Sequence, residues 1–223
     1  MTQPVRHIAM QARGRKRRDA LLAAARELLA DNEIDRIAMI DVAAHAGIPK
    51  SSAYHFYVDI IELYSEMAAL LDKELQSLIA KPMGDVQNWE QVIEIVIDRA
   101  ATFFESSRAA QQLMFGPHTP PKIKRSSRSA DIETSGIIEQ HLDKIFVLPD
   151  VPNRSRLFFR SVEVADLMFG LSLFEYGELR REMIEEAKKI SCAYLALYIP
   201  RILHRRQSLD EATTLSNPQD IEG

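Results

Sequence analysis

The sequence predicts an all-α fold. Apolar residues recur three and four positions apart along nearly the whole chain, the spacing of one helix face. Glycines and prolines fall where those stretches end, as at Gly47-Ile48-Pro49, Pro82-Met83-Gly84 and Gly116-Pro117. With 223 residues, 46% apolar and 27% charged, the chain can bury a sizeable core and is neither fibrous nor disordered in composition.

The first helix carries Leu21, Leu22, Ala25, Leu28 and Leu29 on one face, with Asp19 and Glu27 on others, and ends at Asp31-Asn32. Residues 1–18 hold Arg6, Arg13, Arg15, Lys16, Arg17 and Arg18 and no acid, a local charge of +6. The net charge is −4, so the other 205 residues carry −10: a basic, flexible arm (residues 1–16) attached to an acidic body. Alone, such a run also describes a solvated terminus.

A second, short pattern of Ile40, Ala43, Ala44 and Ala46 stops at Gly47, which suits a left-handed C-terminal position. Pro49 can open the next helix, because its missing N–H has no partner there in any case. That third segment, Lys50 to Tyr57, has one face of Ala53, Phe56 and Tyr57 and leaves Lys50, Ser51, Tyr54 and His55 pointing elsewhere. Two short helices about a glycine turn make a helix-turn-helix, with Ala43 and Ala46 permitting close approach and Ile48 filling the gap. In such a motif the second helix enters the major groove of DNA by its N-terminal residues. A plain helical corner has the same pattern; the basic segment upstream adds the phosphate neutralisation that the motif lacks.

Further helices are predicted from Asp59 to Lys81 (Leu63, Met67, Leu70, Leu71, Leu75), Trp89 to Ser106, Arg108 to Phe115, and Asp131 to Phe146. His118 to Ser129, with Pro120-Pro121 and four basic residues, reads as a solvated loop. Arg156 to Glu175 is apolar on nearly every face, and Glu178 to about Arg206 follows with Ile184, Ala187, Ile190, Tyr194, Leu197, Tyr198 and Ile202. A helix apolar all round must be covered all round, so these last two helices are expected to form a four-helix bundle with their copies in a homodimer. The polar tail, 208–223, reads as disordered.

Several functions are excluded at the level of motif. The glycines are never closer than seven positions, which rules out the dinucleotide fingerprint, the P-loop and the nucleophile elbow. No histidine precedes a glutamate, so the zinc-protease motif is missing, and one cysteine, Cys192, cannot form an intramolecular disulfide. No cofactor or metal is expected. The longest stretch without charge, Ala109 to Pro121, is too short and broken to span a bilayer, and no apolar run follows the N-terminal arginines as in a signal peptide. A cytoplasmic, non-enzymatic protein is the expectation.

From about Arg17 to about Leu70 the chain resembles the TetR family of bacterial transcriptional regulators. The resemblance rests on Ala24-Ala25 and Leu28-Leu29, on Val42-Ala43-Ala44-His45-Ala46-Gly47-Ile48, on Tyr54-His55-Phe56-Tyr57, and on the helix starting near Asp59. It departs from the family at Ala38, usually Ser or Thr; at Pro49, usually Ser; at Ser51, often Gly; and at Ile60, commonly a lysine that contacts phosphate. The resemblance implies a helix-turn-helix DNA-binding domain (17–58) and a helical ligand-binding and dimerisation domain (59–207). Double-stranded DNA is then the partner. Lys50, Ser51 and His55 are candidates for the bases and Ser52, Tyr54 and Phe56 for the backbone, with Arg15, Lys16 and Arg17 on phosphates and Ala53 and Tyr57 in the core.

The same resemblance implies a pocket for a hydrophobic small-molecule effector, aromatic or acyl. Its candidates are Phe103, Phe104, Met114, Phe115, Leu142, Phe158, Phe159, Val162, Asp166, Met168 and Phe169, with Arg99, His141 and Glu163 as nearby polar groups; plain core packing and ordinary salt bridges are the competing reading. Three functions stay open at this point: a homodimeric repressor released from a palindromic operator by its effector, a DNA-binding activator or regulator controlled by a protein partner, and a helical enzyme with a chance helix-turn-helix corner.

Overall fold

The computed structural model describes residues 3–206 and the side chains of residues 12–206. Among these residues the chain forms nine helices: α1 (Gln3–Asp31), α2 (Met39–His45), α3 (Lys50–Phe56), α4 (Ile60–Ile79), α5 (Trp89–Glu105), α6 (Arg108–Met114), α7 (Pro121–Ile145), α8 (Arg154–Tyr176) and α9 (Arg181–Leu195). The only β-type pairing among them is an isolated bridge between Phe146 and Arg205.

α1 begins at Gln3, so the basic segment expected as a flexible arm is helical. Its Ala, Met, Gln, Arg and Lys residues are good helix formers, and Pro4 stands in the first turn, where no hydrogen bond is lost. The tail expected to be disordered, 208–223, lies outside the described residues.

The turn between α2 and α3 follows from its sequence. Gly47 has φ +63°, its N–H donates to Ala44 O at 3.1 Å, and the Ile48 N–H donates to Ala43 O at 2.9 Å, the paired bonds of a Schellman motif. The buried face of α2 differs from the expected one. Met39, Val42 and Ala43 are buried, whereas Ile40 is 50% exposed and Ala44 is exposed. A seven-residue helix can satisfy its period on more than one face, and here the bulk of Met39 and Val42 takes the interior. In α3, Ala53 and Tyr57 are buried, as expected, and Phe56 is half-buried.

α2 has an incomplete N-terminal cap. Asp41 accepts from the Ala38 N–H at 2.8 Å, but Ala38 has no side-chain oxygen to return the bond. Ala38→Ser should therefore stabilise the protein by about 1 kcal/mol in a denaturant titration; an unchanged midpoint would mean that the first turn is already satisfied by water.

α1 is fastened to α4 at two levels. Arg18 Nε donates to Glu66 at 2.9 Å while the Tyr57 hydroxyl donates to the same carboxylate at 2.8 Å, tying α1, the end of α3 and α4 together. Two turns on, Arg26 makes a bidentate pair with Glu74 at 2.9 and 3.0 Å.

In the C-terminal part, α8 packs chiefly along α9 and α7, and α7 along α4. α7 starts ten residues before the Asp131 start that the sequence predicts. Pro121 occupies the first helical turn, where proline belongs, and the Ile123 and Lys124 N–H groups donate to Pro120 O. The expected basic loop is thus helix, with Ile123 fully buried. α9 conversely ends at Leu195, well short of Arg206. Pro200 has no N–H and disfavours the helical conformation of its predecessor. Beyond it the chain folds back, with Val147 N–H donating to His204 O and Arg206 N–H to Ile145 O, both at 2.8 Å.

Candidate nucleic-acid interface and interior cavity

The outer side of the helix-turn-helix is polar and unobstructed. Lys50, Ser51 and His55 are exposed on α3, and Ser52 is half-buried. Tyr54 is 45% exposed, and its ring lies 5.9 Å beneath the Lys50 ammonium. Phe56 turns inward, towards Gly14 of α1, where its Cε1 lies 3.9 Å from the position a Cβ would take.

On α1, Arg15, Lys16 and Arg17 are exposed. Among the described residues neither they nor Lys50 forms an ion pair, whereas Arg18 and Arg26 are committed to Glu66 and Glu74. The helix-turn-helix therefore presents cations that have no internal partner, the property needed to replace counterions on a phosphate backbone.

A cavity of about 430 Å³ lies among α4, α5, α7 and α8, with α6 and α9 contributing to its wall. Of the residues expected there, Phe104, Met114, Phe115, Val162, Asp166 and Phe169 line it. Phe104, Phe115 and Phe169 meet edge to face, with centroids 4.7 Å (104–115), 5.9 Å (104–169) and 6.2 Å (115–169) apart. Phe103, Leu142, Phe158, Phe159 and Met168 do not line it. Leu142 and Phe158 are core, Met168 packs against the core, Phe103 borders a shallow outer groove, and Phe159 lies beneath the Arg156 guanidinium. A helix apolar on several faces does not say which face meets a cavity, and that is why these five were misplaced.

Arg99 and His141 have structural work at the end of α4. Arg99 donates to Ile79, Lys81 and Pro82 carbonyls at 3.1, 2.7 and 2.6 Å, and the His141 ring meets Ile79 O at 3.0 Å. These bonds satisfy carbonyls that a helix C-terminus leaves unpaired.

Asp72 and Asp131 also line the cavity, and apolar periodicity overlooked both. With Glu163 and Asp166 they bring four carboxyl groups to one chamber. Burial, followed by the charge of Glu133, pushes Asp72 up to about 7. Asp131 is raised by burial and by Glu163 and Asp72, and Asp166 by burial and by Asp131, Glu163 and Asp72, each against a small opposing effect of Arg128.

A carboxyl group raised in the folded state binds its proton more tightly there than in the unfolded chain. Its contribution to stability is complete below about pH 4 and is lost as pH rises through about 7. Asp72→Asn should consequently raise the melting temperature more at pH 8 than at pH 5, as measured by calorimetry at both values. An equal shift at both would contradict this electrostatic account.

α6 connects the cavity to the end of α1, as α4 does to α1 and the end of α3 through Glu66 and Glu74. α6 places Met114 and Phe115 at the cavity wall and, on its other side, buries the amide of Gln112. That amide donates to Leu29 O and Asn32 O at 2.8 Å each and accepts from the Ile34 N–H at 2.7 Å, holding the chain where α1 ends. Arg108, at the start of α6, pairs with Glu33 at 2.6 Å.

A family model described as "Tetracyclin repressor-like, C-terminal domain" matches residues 87–199. No curated protein matches the chain. Among solved structures, a TetR-family transcriptional regulator from Streptomyces coelicolor is similar, with a TM-score of 0.66 at 18% identity over 82% of this chain and 99% of that one. A TetR transcriptional regulator from a Rhodococcus species gives 0.60 at 14% identity, covering 81% of this chain and 96% of that one. At such identities the likeness speaks for the fold alone.

Proposed function

The chain belongs to the TetR family of transcriptional regulators, and on that premise we propose that it is a cytoplasmic, homodimeric repressor, released from a palindromic operator by a small molecule held in the interior cavity. The observation that carries this reading is the helix-turn-helix itself, with Lys50, Ser51 and His55 exposed on α3 beside the unpaired cations Arg15, Lys16 and Arg17. Lys50, Ser51 and His55 would meet base edges, while Ser52, Tyr54 and the α1 cations would meet phosphates.

The dimer reading is supported by apolar side chains on α8 and beyond α9 that no described residue of the protomer covers. Phe174 is 82% exposed, Leu197 75% and Ile202 86%. Phe174 stands beside the turn from α8 into α9 and Leu197 beyond the far end of α9, so uncovered apolar residues at both ends of this helix pair support an interaction surface along it. A two-fold pairing there would present two copies of α3 to one face of the duplex.

Release would run through α6. A ligand that displaces Phe115 or Met114 bears on the helix whose Gln112 holds the end of α1, so two arrangements of α6 would set two spacings of the recognition helices. The ligand shifts that balance only to the extent that it binds one arrangement better. DNase footprinting of the full-length protein tests the reading. Two protected half-sites centred about 34–36 Å apart, or a multiple of that, are expected; a single isolated half-site would contradict it.

A further inference from the structure

On the reading of the cavity as the effector site, we propose that its ligand is an organic cation, with a protonated amine or quaternary ammonium group among Asp72, Asp131 and Asp166 and an apolar body against Phe104, Phe115 and Phe169. The sequence pointed to a hydrophobic, aromatic or acyl molecule, because Asp72 and Asp131 were not among the polar groups it placed near the pocket.

The cavity is over-supplied with negative charge. Asp72 is 8% exposed, lines the chamber, and among the described residues has neither a hydrogen-bond donor nor a cation beside it. One oxygen of Glu163 is paired with Arg128 at 2.8 Å, while the other is buried without a partner. Asp131 and Asp166 line the same space and form no ion pair. Carboxylates withdrawn from water without a cationic partner are costly, and protonation relieves that cost. The raised proton affinities of Asp72, Asp131 and Asp166 are that response.

Ligand classes separate on this ground. An acyl carboxylate would add a further acidic group to four that face only two cations, Lys124 and Arg128, the latter already paired with Glu163. A neutral ligand would fill the apolar wall and leave the aspartates as they are. A cation would supply the missing partner, and the three phenylalanine rings offer faces on which a cation or an aromatic body can rest. A bare metal ion does not fit, because among the described residues no three His, Cys, Asp or Glu side chains converge to hold one. The charge must come on a body large enough to reach several walls, and about 430 Å³ is within the range of small-molecule sites.

Binding should also strengthen with pH. The charged groups facing the chamber are Asp72 from α4, Lys124, Arg128 and Asp131 from α7, and Glu163 and Asp166 from α8, with Glu133 beside Asp72. α5, α6 and α9 contribute only uncharged side chains. Raising the pH from 6 to 8 ionises Asp72 and Asp131, both raised to about 7, so a cation gains partners across that interval.

The test is calorimetric titration of the full-length protein, without DNA, with three probes: 4-phenylbutyltrimethylammonium, 5-phenylpentan-1-ol and 5-phenylpentanoate. The cation is expected to bind at least tenfold more tightly than the alcohol at pH 8, the carboxylate more weakly than either, and the cation several-fold more weakly at pH 6. Asp72→Asn and Asp166→Asn should each weaken the cation tenfold or more while leaving the alcohol within twofold. Both variants should melt no lower than the parent at pH 8, which separates lost binding from lost folding. Equal or tighter binding of the alcohol or the carboxylate, undiminished cation binding by the asparagine variants, or binding of none of the three would overturn the proposal. Cation binding that fails to release DNA would uphold the cation site and count instead against its role as effector.

Discussion

Replacing Arg15, Lys16 and Arg17 together by glutamine is expected to abolish useful DNA affinity at physiological salt without unfolding the protein. Each phosphate contact contributes about 0.9 to the slope of log affinity against log salt, so three lost contacts flatten it by nearly three units per protomer and weaken binding by about 100-fold at 0.15 M. The side chains are exposed and unpaired, so thermal stability should change by less than about 0.5 kcal/mol. The size of this effect follows from the departures within the motif. Ile60 stands where a phosphate-binding lysine is usual, and Arg18 and Arg26 already serve Glu66 and Glu74. Much of the grip on the backbone must then come from these three cations. Anisotropy titrations at several salt concentrations would show it; an unchanged slope would place the phosphates elsewhere on the molecule.

The second large effect concerns assembly. Phe174→Glu combined with Leu197→Glu puts four carboxylates into the proposed two-fold interface and none into the protomer's own core, since both side chains point outward. Light scattering should then report a monomer of about 25 kDa in place of a dimer. Operator affinity should drop by roughly 10²–10⁴-fold, the amount gained when a second recognition helix binds as a tethered partner. A double variant that remains dimeric would assign these apolar residues another role.

How far the fold was legible depended on what each local signal constrains. Gly47 with Ile48 and Pro49 specified a turn, because a left-handed residue followed by a proline leaves little choice, and the Schellman bonds appear there. Ala53 and Tyr57 shared one face by spacing and were core by the family resemblance, and both are buried. Proline, in contrast, was misread in both directions. Pro120-Pro121 looked like a break and instead opens α7, whereas Pro200 was passed over and closes the last helical region. The residue type says that an N–H is missing; it does not say whether the position lies at the start of a helix or inside one. The cavity was the least legible part. Phe104, Phe115 and Phe169 come from three helices, and only tertiary packing decides that they meet while Phe158 and Leu142 pack elsewhere. Asp72 did carry a signal, four residues after Ala68 and three before Leu75, a carboxyl on a buried stripe. Asp131 carried none, because the segment before it was read as loop.

The central claim is that α3 and the exposed cations Arg15, Lys16 and Arg17 of α1 bind a specific DNA sequence. The measurement that tests it most directly is fluorescence anisotropy of the full-length protein on the DNA flanking its own gene, beside a scrambled duplex of equal length, across a salt series. The account expects preference for the native fragment, with a steep negative salt slope on both duplexes and a remaining difference between them as salt rises. Absence of binding to either duplex at low salt would contradict it.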